Sequence, residues 1–316
     1  MKNVHWSAQK EEAAGYWQLA FFLFIFKILP VIFLRLLCFP VGFFFYLFSK
    51  RARDFSRLYL QRLSSFTGGQ KYYPLKHIIS FSLSLVEKLE AWSGKVSFKR
   101  IYFNDDDIKD LAKRLESGQG AFLVSSHLGN MELIRALADF NRTGISREVP
   151  VTAIVDFSVT THFNRIINKL NPKYLTQIIS ANELGPENIA LLMEKTDRGE
   201  LVVIAGDRTS ASTASRHLPV SFLDLQAPFP YGPFFLAAIS GAAVYSVFAI
   251  RQKDISLSSN YDMHIHKSPV DFDCPRNERE ARIRELAIWY AALLERYCKE
   301  HPYQWYNFFD FWDSVA

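Results

Sequence analysis

AFLVSSHLGNMELIRAL, residues 121–137, decides how the rest of the chain is read. Its first four residues are an apolar run fit for a buried strand. Ser125-Ser126-His127 breaks the run, Gly129-Asn130 supplies a turn, and from Met131 the apolar residues recur at helical spacing. The stretch therefore reads strand, loop, helix. The loop holds one imidazole, His127, and five residues later comes a carboxylate, Glu132. Residues five apart on one helix do not share a face, so this spacing serves a helical H-x-x-x-H zinc site poorly. A turn between the two changes the geometry. With His127 at the strand end and Glu132 in the first helical turn, the carboxylate can fold back on the imidazole, fix its tautomer and stabilise its protonated form, which leaves the other nitrogen as a general base. The alternative is a plain loop histidine and a first-turn glutamate favoured by the helix dipole.

Working outward, strand and helix patterns alternate. Strands are predicted at residues 96–103, 149–155, 175–179, 200–205, 243–251 and 261–266, and helices at 51–66, 74–92, 108–116, 160–170, 185–198, 234–240 and 276–300. Residues 104–107 start the helix at 108, residues 217–223 are extended, and Pro-rich residues 227–233 form a turn. Ile189, Leu192 and Met193 face inward on their helix. The expected fold is α/β: a central mixed, mostly parallel twisted sheet flanked by helices, with chemistry at loops beyond strand ends. His127 and Asp207, in Gly206-Asp207-Arg208, both follow strands and are expected on one rim of the sheet.

The N-terminal segment is different. Residues 16–48 are apolar almost throughout but interrupted by Lys27, Pro30, Arg35 and Pro40. The run is long enough to cross a bilayer, yet its two cations fall near the middle, where each is costly unless it snorkels or is buried in protein. A spanning helix and an in-plane or re-entrant segment both remain open. If the segment spans, Lys50, Arg51, Arg53 and Arg57 place the remainder in the cytoplasm. The division is then residues 1–49 as a membrane-anchoring segment and 50–316 as a catalytic domain.

Composition narrows the partners. The chain has 316 residues, 28 of them Phe, and a net charge of +5. The Phe load fits either lipid contact or a Phe-rich core, and the charge fits an anionic membrane surface or an acidic carrier protein. Nucleic acid is the weakest fit to the same charge and is not expected as a partner, because no recognition motif is visible and Lys and Arg are dispersed through apolar segments. Cys38, Cys274 and Cys298 lie far apart, which implies no disulfide framework. His264 and His266 share one face of a strand but have no third ligand nearby, so no metal site is expected.

SSHLGNMEL resembles the first signature block of the glycerolipid-type acyltransferases, and is most similar to the bacterial late acyltransferases of lipid A biosynthesis, with H-x-x-x-x-[DE] around Gly-Asn. The resemblance runs in order along the whole chain: Gly206-Asp207-Arg208, the Pro-Gly turn, Ala237-Ala238, Gly241-Ala242 and the strand ending at Arg251. It implies that His127 deprotonates an acceptor hydroxyl, that Glu132 orients His127, and that Asn130, Asp207, Arg208, Tyr231 and Gly232 bind substrate. Arg208 would stabilise the oxyanion of the thioester carbonyl or bind a carrier phosphate. Leu128, Met131, Phe157, Phe163, Phe229 and Phe234 would line a pocket for the acyl chain. The donor would be acyl carrier protein or coenzyme A, the acceptor a membrane lipid or glycolipid, the location the bacterial inner membrane with the catalytic domain on its cytoplasmic side, and no cofactor or metal is called for.

Two features depart from that pattern. Where the lipid A enzymes carry a basic segment after a terminal Trp, this chain reads Trp305-Tyr306-Asn307-Phe308-Phe309-Asp310-Phe311-Trp312, and Arg165 alone stands near the place of the family's arginine between the motifs. The pattern is more similar to the subgroup linked to aryl-polyene or amino-acid lipid clusters, which implies an acceptor other than lipid A. No G-x-S-x-G elbow is present, so transfer in one step is expected rather than through an acyl-enzyme. A non-catalytic membrane-anchored lipid-binding protein with the same fold is the competing reading, and a metal-dependent hydrolase a third.

Overall fold

A computed structural model describes residues 24–26, 28–93, 95–103, 106–138, 145–155, 177–181, 184–208 and 216–313. Three helices come first: α1 (Val31–Phe48), α2 (Lys50–Phe66) and α3 (Pro74–Trp92). Next come β1 (Ile101–Phe103), α4 (Asp107–Glu116), β2 (Ala121–Ser125), a 3₁₀ segment Met131–Ala138, β3 (Val151–Val155), β4 (Gln177–Ser180), α5 (Pro186–Asp197) and β5 (Leu201–Ala205). A hairpin of β6 (His217–Phe222) and β7 (Leu225–Pro230) leads to α6 (Tyr231–Ile239), β8 (Ala243–Arg251), β9 (Tyr261–Lys267) and the long α7 (Arg279–Glu300).

The sheet has seven strands in the order β1-β9-β8-β2-β5-β3-β4. The five from β8 to β4 run parallel, and β9 turns antiparallel to β8 and carries β1 beside it. β2 at the centre is buried at every residue, as a strand covered on both faces must be. Its alternation divides the core. Phe122 and Val124 face the side covered by α6, α7 and the hairpin, whereas Ala121 and Leu123 face the side of α4 and the 3₁₀ segment. On α7 the buried residues Ile283, Leu286, Tyr290, Leu294 and Tyr297 recur every three or four positions, which makes the one-sided stripe that lies on the sheet.

Several elements differ from the sequence expectation. The strand expected at 96–103 is only three residues long, preceded by a 3₁₀ turn at Phe98–Arg100. The Pro-rich stretch 227–233 is not one turn: Pro228 and Pro230 sit in β7 of an isolated two-stranded hairpin. Among the described residues neither strand has a further neighbour, so the missing amide hydrogens cost no ladder bond on an outer edge. The turn is made instead by Leu223 and Asp224, both at positive φ (52° and 61°). Met193, expected inward, is 39% exposed on α5, and Lys195 and Thr196 are buried in its place. The helix expected at 160–170 lies outside the described residues.

α1 is docked onto the domain along α3. Leu34, Cys38 and Phe26 join Leu83, Val86 and Leu89 in a third apolar cluster. Gly42 permits the contact, because a Cβ there would sit 3.1–3.2 Å from Ile79. Arg35 is buried, with its guanidinium 2.6 Å from Glu90 and 2.9 Å from the Leu257 carbonyl. The mid-segment cation is thus neutralised inside protein. The outer face of α1 remains apolar and exposed, with Phe33, Leu36, Leu37, Val41, Phe44 and Phe48 between 46% and 81% accessible.

Candidate active site

β2 and β5 are neighbours in parallel register, with Ser125 opposite Ala205. Two residues beyond each of these lie His127 and Asp207, so the ladder delivers both side chains to the same place on the sheet rim. Gly206 extends the register by donating its N–H to the Ser125 carbonyl at 2.8 Å. It must be glycine for reasons of space, since a Cβ would lie 2.7 Å from Val124 and 2.9 Å from Tyr290. Tyr290 uses that room to donate its own hydroxyl to the Ser125 carbonyl at 2.8 Å.

The chain after His127 is held just as tightly. Gly129 (φ 77°) donates its N–H to the Gln304 carbonyl at 2.9 Å, and Asn130 donates to the Ala249 carbonyl at 2.8 Å. A Cβ on Gly129 would collide with that same Ala249 carbonyl, so both conformation and space call for glycine. The loop is thereby pinned between the end of β8 and the C-terminal segment, where Leu128 bridges to Trp305.

His127 Nδ1 is 2.7 Å from Asp207 Oδ1, and the His127 backbone N–H donates to Asp207 Oδ2 at 2.8 Å. Asp207 is fully buried and accepts a third bond, from the Trp305 indole N–H at 2.9 Å. Burial alone would raise its pKa, but the adjacent imidazole and the three donated bonds prevail and hold the carboxyl below the usual carboxylate range. An ionised Asp207 can only accept, which places the proton of neutral His127 on Nδ1 and leaves the Nε2 lone pair free. Burial, then the nearby Arg208 cation, lower the pKa of His127 below the ordinary imidazole value, against the opposing pull of Asp207, and Lys88 adds to the lowering. The His127 side chain keeps 20% of its surface exposed, which gives a substrate access to it.

The carboxylate on Nδ1 is therefore Asp207, at the position where the sequence reading expects Glu132. The reason is local. After Asn130, which accepts from the Glu132 N–H at 3.3 Å through Oδ1, the chain enters a 3₁₀ rather than an α-helical turn, while strand register has already filled the Nδ1 position from β5. Glu132 instead lies in the field of Lys88 on α3. Burial lowers the pKa of Lys88, and the negative charges of Glu132 and Asp207 oppose that lowering while Arg208 adds to it.

Lys88 was not legible as a site residue from sequence, because α3 reads as a core helix. The available signal was the charged triplet Glu87, Lys88 and Glu90 within an otherwise apolar stretch.

Arg208 donates from Nε to Asn307 Oδ1 (3.1 Å) and from Nη2 to the Tyr306 carbonyl (3.0 Å), with its guanidinium over the Phe309 ring. Its position beside the dyad is set by the C-terminal segment, the stretch that departs from the resemblance. Asn130 is 1% exposed, and its Nδ2 has no acceptor among the described residues.

The other expected site residues are scattered. Leu128, Phe229 and Phe234 are packed in one core cluster, and Met131 is packed against the cluster on the other face of the sheet. Phe157, Phe163 and Arg165 lie outside the described residues. Tyr231 and Gly232 begin α6, where the Tyr231 hydroxyl donates to Glu280 at 2.8 Å beneath Arg216. A cleft of about 800 Å³ touches Ala243 and Val244. Their register partners are Ala121 and Phe122, so this cleft opens at the end of the sheet opposite His127. His266 stacks with His264 and with Tyr297, and His266 Nε2 is bonded to the Tyr297 hydroxyl at 2.6 Å.

A half-buried neutral imidazole with an ionised carboxylate on one nitrogen and a free lone pair on the other is equipped to remove a proton from a hydroxyl or amine. The adjacent cation can hold negative charge that forms on a carbonyl oxygen. Among protein families, the model described as "Bacterial lipid A biosynthesis acyltransferase" matches residues 1–313. No curated protein matches the chain.

Proposed function

From the premise that this chain belongs to the bacterial lipid A biosynthesis acyltransferases, we propose that His127 is the general base of a one-step transfer from an acyl thioester to a hydroxyl or amine of a lipid acceptor. His127 Nε2 takes the acceptor proton as the acceptor oxygen or nitrogen attacks the thioester carbonyl. The carbon–sulfur bond then breaks, and the proton passes from His127 to the departing thiolate, giving acylated lipid and free thiol. Asp207 stabilises the imidazolium between these steps, and Arg208 and the Asn130 amide are the donors for the carbonyl oxygen. The observation that carries this reading is the 2.7 Å contact between His127 Nδ1 and Asp207 at the sheet rim.

The carrier of the thioester is acyl carrier protein or coenzyme A. The acceptor carries less phosphate than a bisphosphorylated lipid A precursor, because the segment after Trp305 is aromatic and acidic rather than basic. The protein works at the cytoplasmic face of the inner membrane, where the exposed apolar face of α1 enters the lipid and Lys50, Arg51 and Arg57, all exposed, meet anionic headgroups. α1 lies in the plane of the membrane. It is docked on α3 through its middle, and crossing the bilayer would drag Glu90, Lys88 and the rest of α3 to the same depth.

The test is transfer of label from acyl carrier protein and from coenzyme A thioesters to membrane lipid. His127→Ala should lower kcat by about 10²- to 10⁴-fold with the fold intact. A wild-type rate in the variant would remove His127 from the mechanism, and donor binding without transfer in the wild-type protein would favour a lipid-binding role.

A further inference from the structure

We infer that Trp305 is a positioning residue of this site, which fixes the Asp207 carboxylate and sets the basicity of His127 through the indole N–H. The inference rests on His127 acting as the base.

Trp305 is fully buried, and its ring is confined from several sides. Tyr59, Phe222 and Phe311 approach it edge-on, with centroids 5.0, 5.3 and 5.2 Å away. Its backbone is fixed as well, since its carbonyl accepts from His77 Nε2 at 2.9 Å and the neighbouring Tyr306 N–H reaches the His127 carbonyl. The ring therefore cannot turn to another acceptor, and its N–H points at Asp207 Oδ2.

Asp207 has its other contacts on His127: Oδ1 on the imidazole and Oδ2 on the backbone N–H. The indole is the one described donor to this carboxylate that does not come from His127, so it ties the carboxylate itself to the rigid aromatic cluster of the C-terminal segment. It also has an electrostatic effect. A donor on Oδ2 withdraws charge from the carboxylate and weakens its hold on an imidazolium, which keeps His127 neutral and ready to accept a proton. A tryptophan at this place offers a bulky apolar body for the core and a single donor for the anion.

The experiment is Trp305→Phe in the full-length protein, with Phe222→Leu as a control that loosens the same ring cluster without touching Asp207. Two quantities are read: the pH dependence of kcat/KM, and the titration of His127 followed by NMR of the ¹⁵N-labelled imidazole. Trp305→Phe should move both the acid limb and the His127 midpoint to higher pH, and should lower kcat near neutrality about tenfold with KM for the donor within about twofold. Phe222→Leu should move neither midpoint.

If Trp305→Phe lowers the rate at every pH without moving the His127 titration, the residue is only structural and the inference fails. Should that variant not fold, benzothienylalanine at position 305, which replaces the N–H by sulfur in a ring of the same shape, reads the same quantities. The NMR titration needs no turnover, so it tests Trp305 independently of the rate of His127→Ala that tests the base.

Discussion

His127 must be neutral and open on one nitrogen to act as a base, and its neighbours provide both conditions by different means. Asp207 fixes the tautomer, while burial and the Arg208 charge keep the second proton off. Because the pKa is lowered, the acid limb of kcat/KM is expected below the ordinary imidazole value of about 6.5, with activity lost as pH falls through it. A limb at or above that value would show that Asp207 outweighs burial. Asp207→Asn keeps the shape but offers a donor where Nδ1–H needs an acceptor, so kcat should fall on the order of 10³- to 10⁴-fold. Glu132→Gln should cost less, since Glu132 is not the group on Nδ1. Equal losses in the two variants would mean that Glu132 acts directly on the substrate or the base.

At α1 the question is orientation. The helix is apolar enough to cross a membrane, and among the described residues it is the one helix that is. Length and composition therefore leave spanning and in-plane placements equal. The in-plane placement proposed above is supported by the packing: Arg35 is paired with Glu90, and Gly42 lets the helix close on Ile79. Spin labels at Phe33, Leu37 and Phe44, all on the exposed face, should report one depth in vesicles. A spanning helix would place positions 33 and 44 about 16 Å apart in depth at 1.5 Å per residue. A graded series of depths would overturn the in-plane reading.

Across the whole molecule, the C-terminal segment is what closes the structure over the motif. Gln304 clamps the end of β8 by accepting from the Arg251 N–H at 2.9 Å and donating to the Arg251 carbonyl at 2.7 Å, and its backbone carbonyl caps Gly129. His77 joins α3 to this segment, and through Ser56 Oγ, 3.0 Å from its Nδ1, to α2. Burial pushes the His77 pKa down to about 4, so the folded protein keeps it neutral where an unfolded chain would protonate it. Between about pH 6.5 and 4 the unfolded state binds the extra proton, and stability falls with pH across that window and levels off below it. The displacement corresponds to about 3 kcal/mol. Chemical denaturation in detergent should show the wild type losing about that much more than His77→Gln between pH 7 and pH 4. Parallel pH profiles for the two would place the acid sensitivity elsewhere.

What the sequence determined by itself were the local matters and those set by strand order. Apolar runs broken by turns marked β2, β3, β5, β8 and β9, and their alternation with helices called for a mostly parallel sheet. His127 and Asp207, each just past a strand, were legible as residues of one rim, because parallel strands end on the same side. The tertiary structure alone decided which strands are neighbours, and with that which carboxylate meets the imidazole. Glu132 is five residues away in sequence, yet the register of β2 with β5 brings Asp207 into bonding distance. It also decided the positions of Lys88, Trp305 and Asn307 beside these residues, on elements that read as core helix and aromatic tail. A side chain's chemistry is printed in the sequence, but its electrostatic partners depend on distances through space, and those are fixed only when the sheet, α3 and the C-terminal segment pack together.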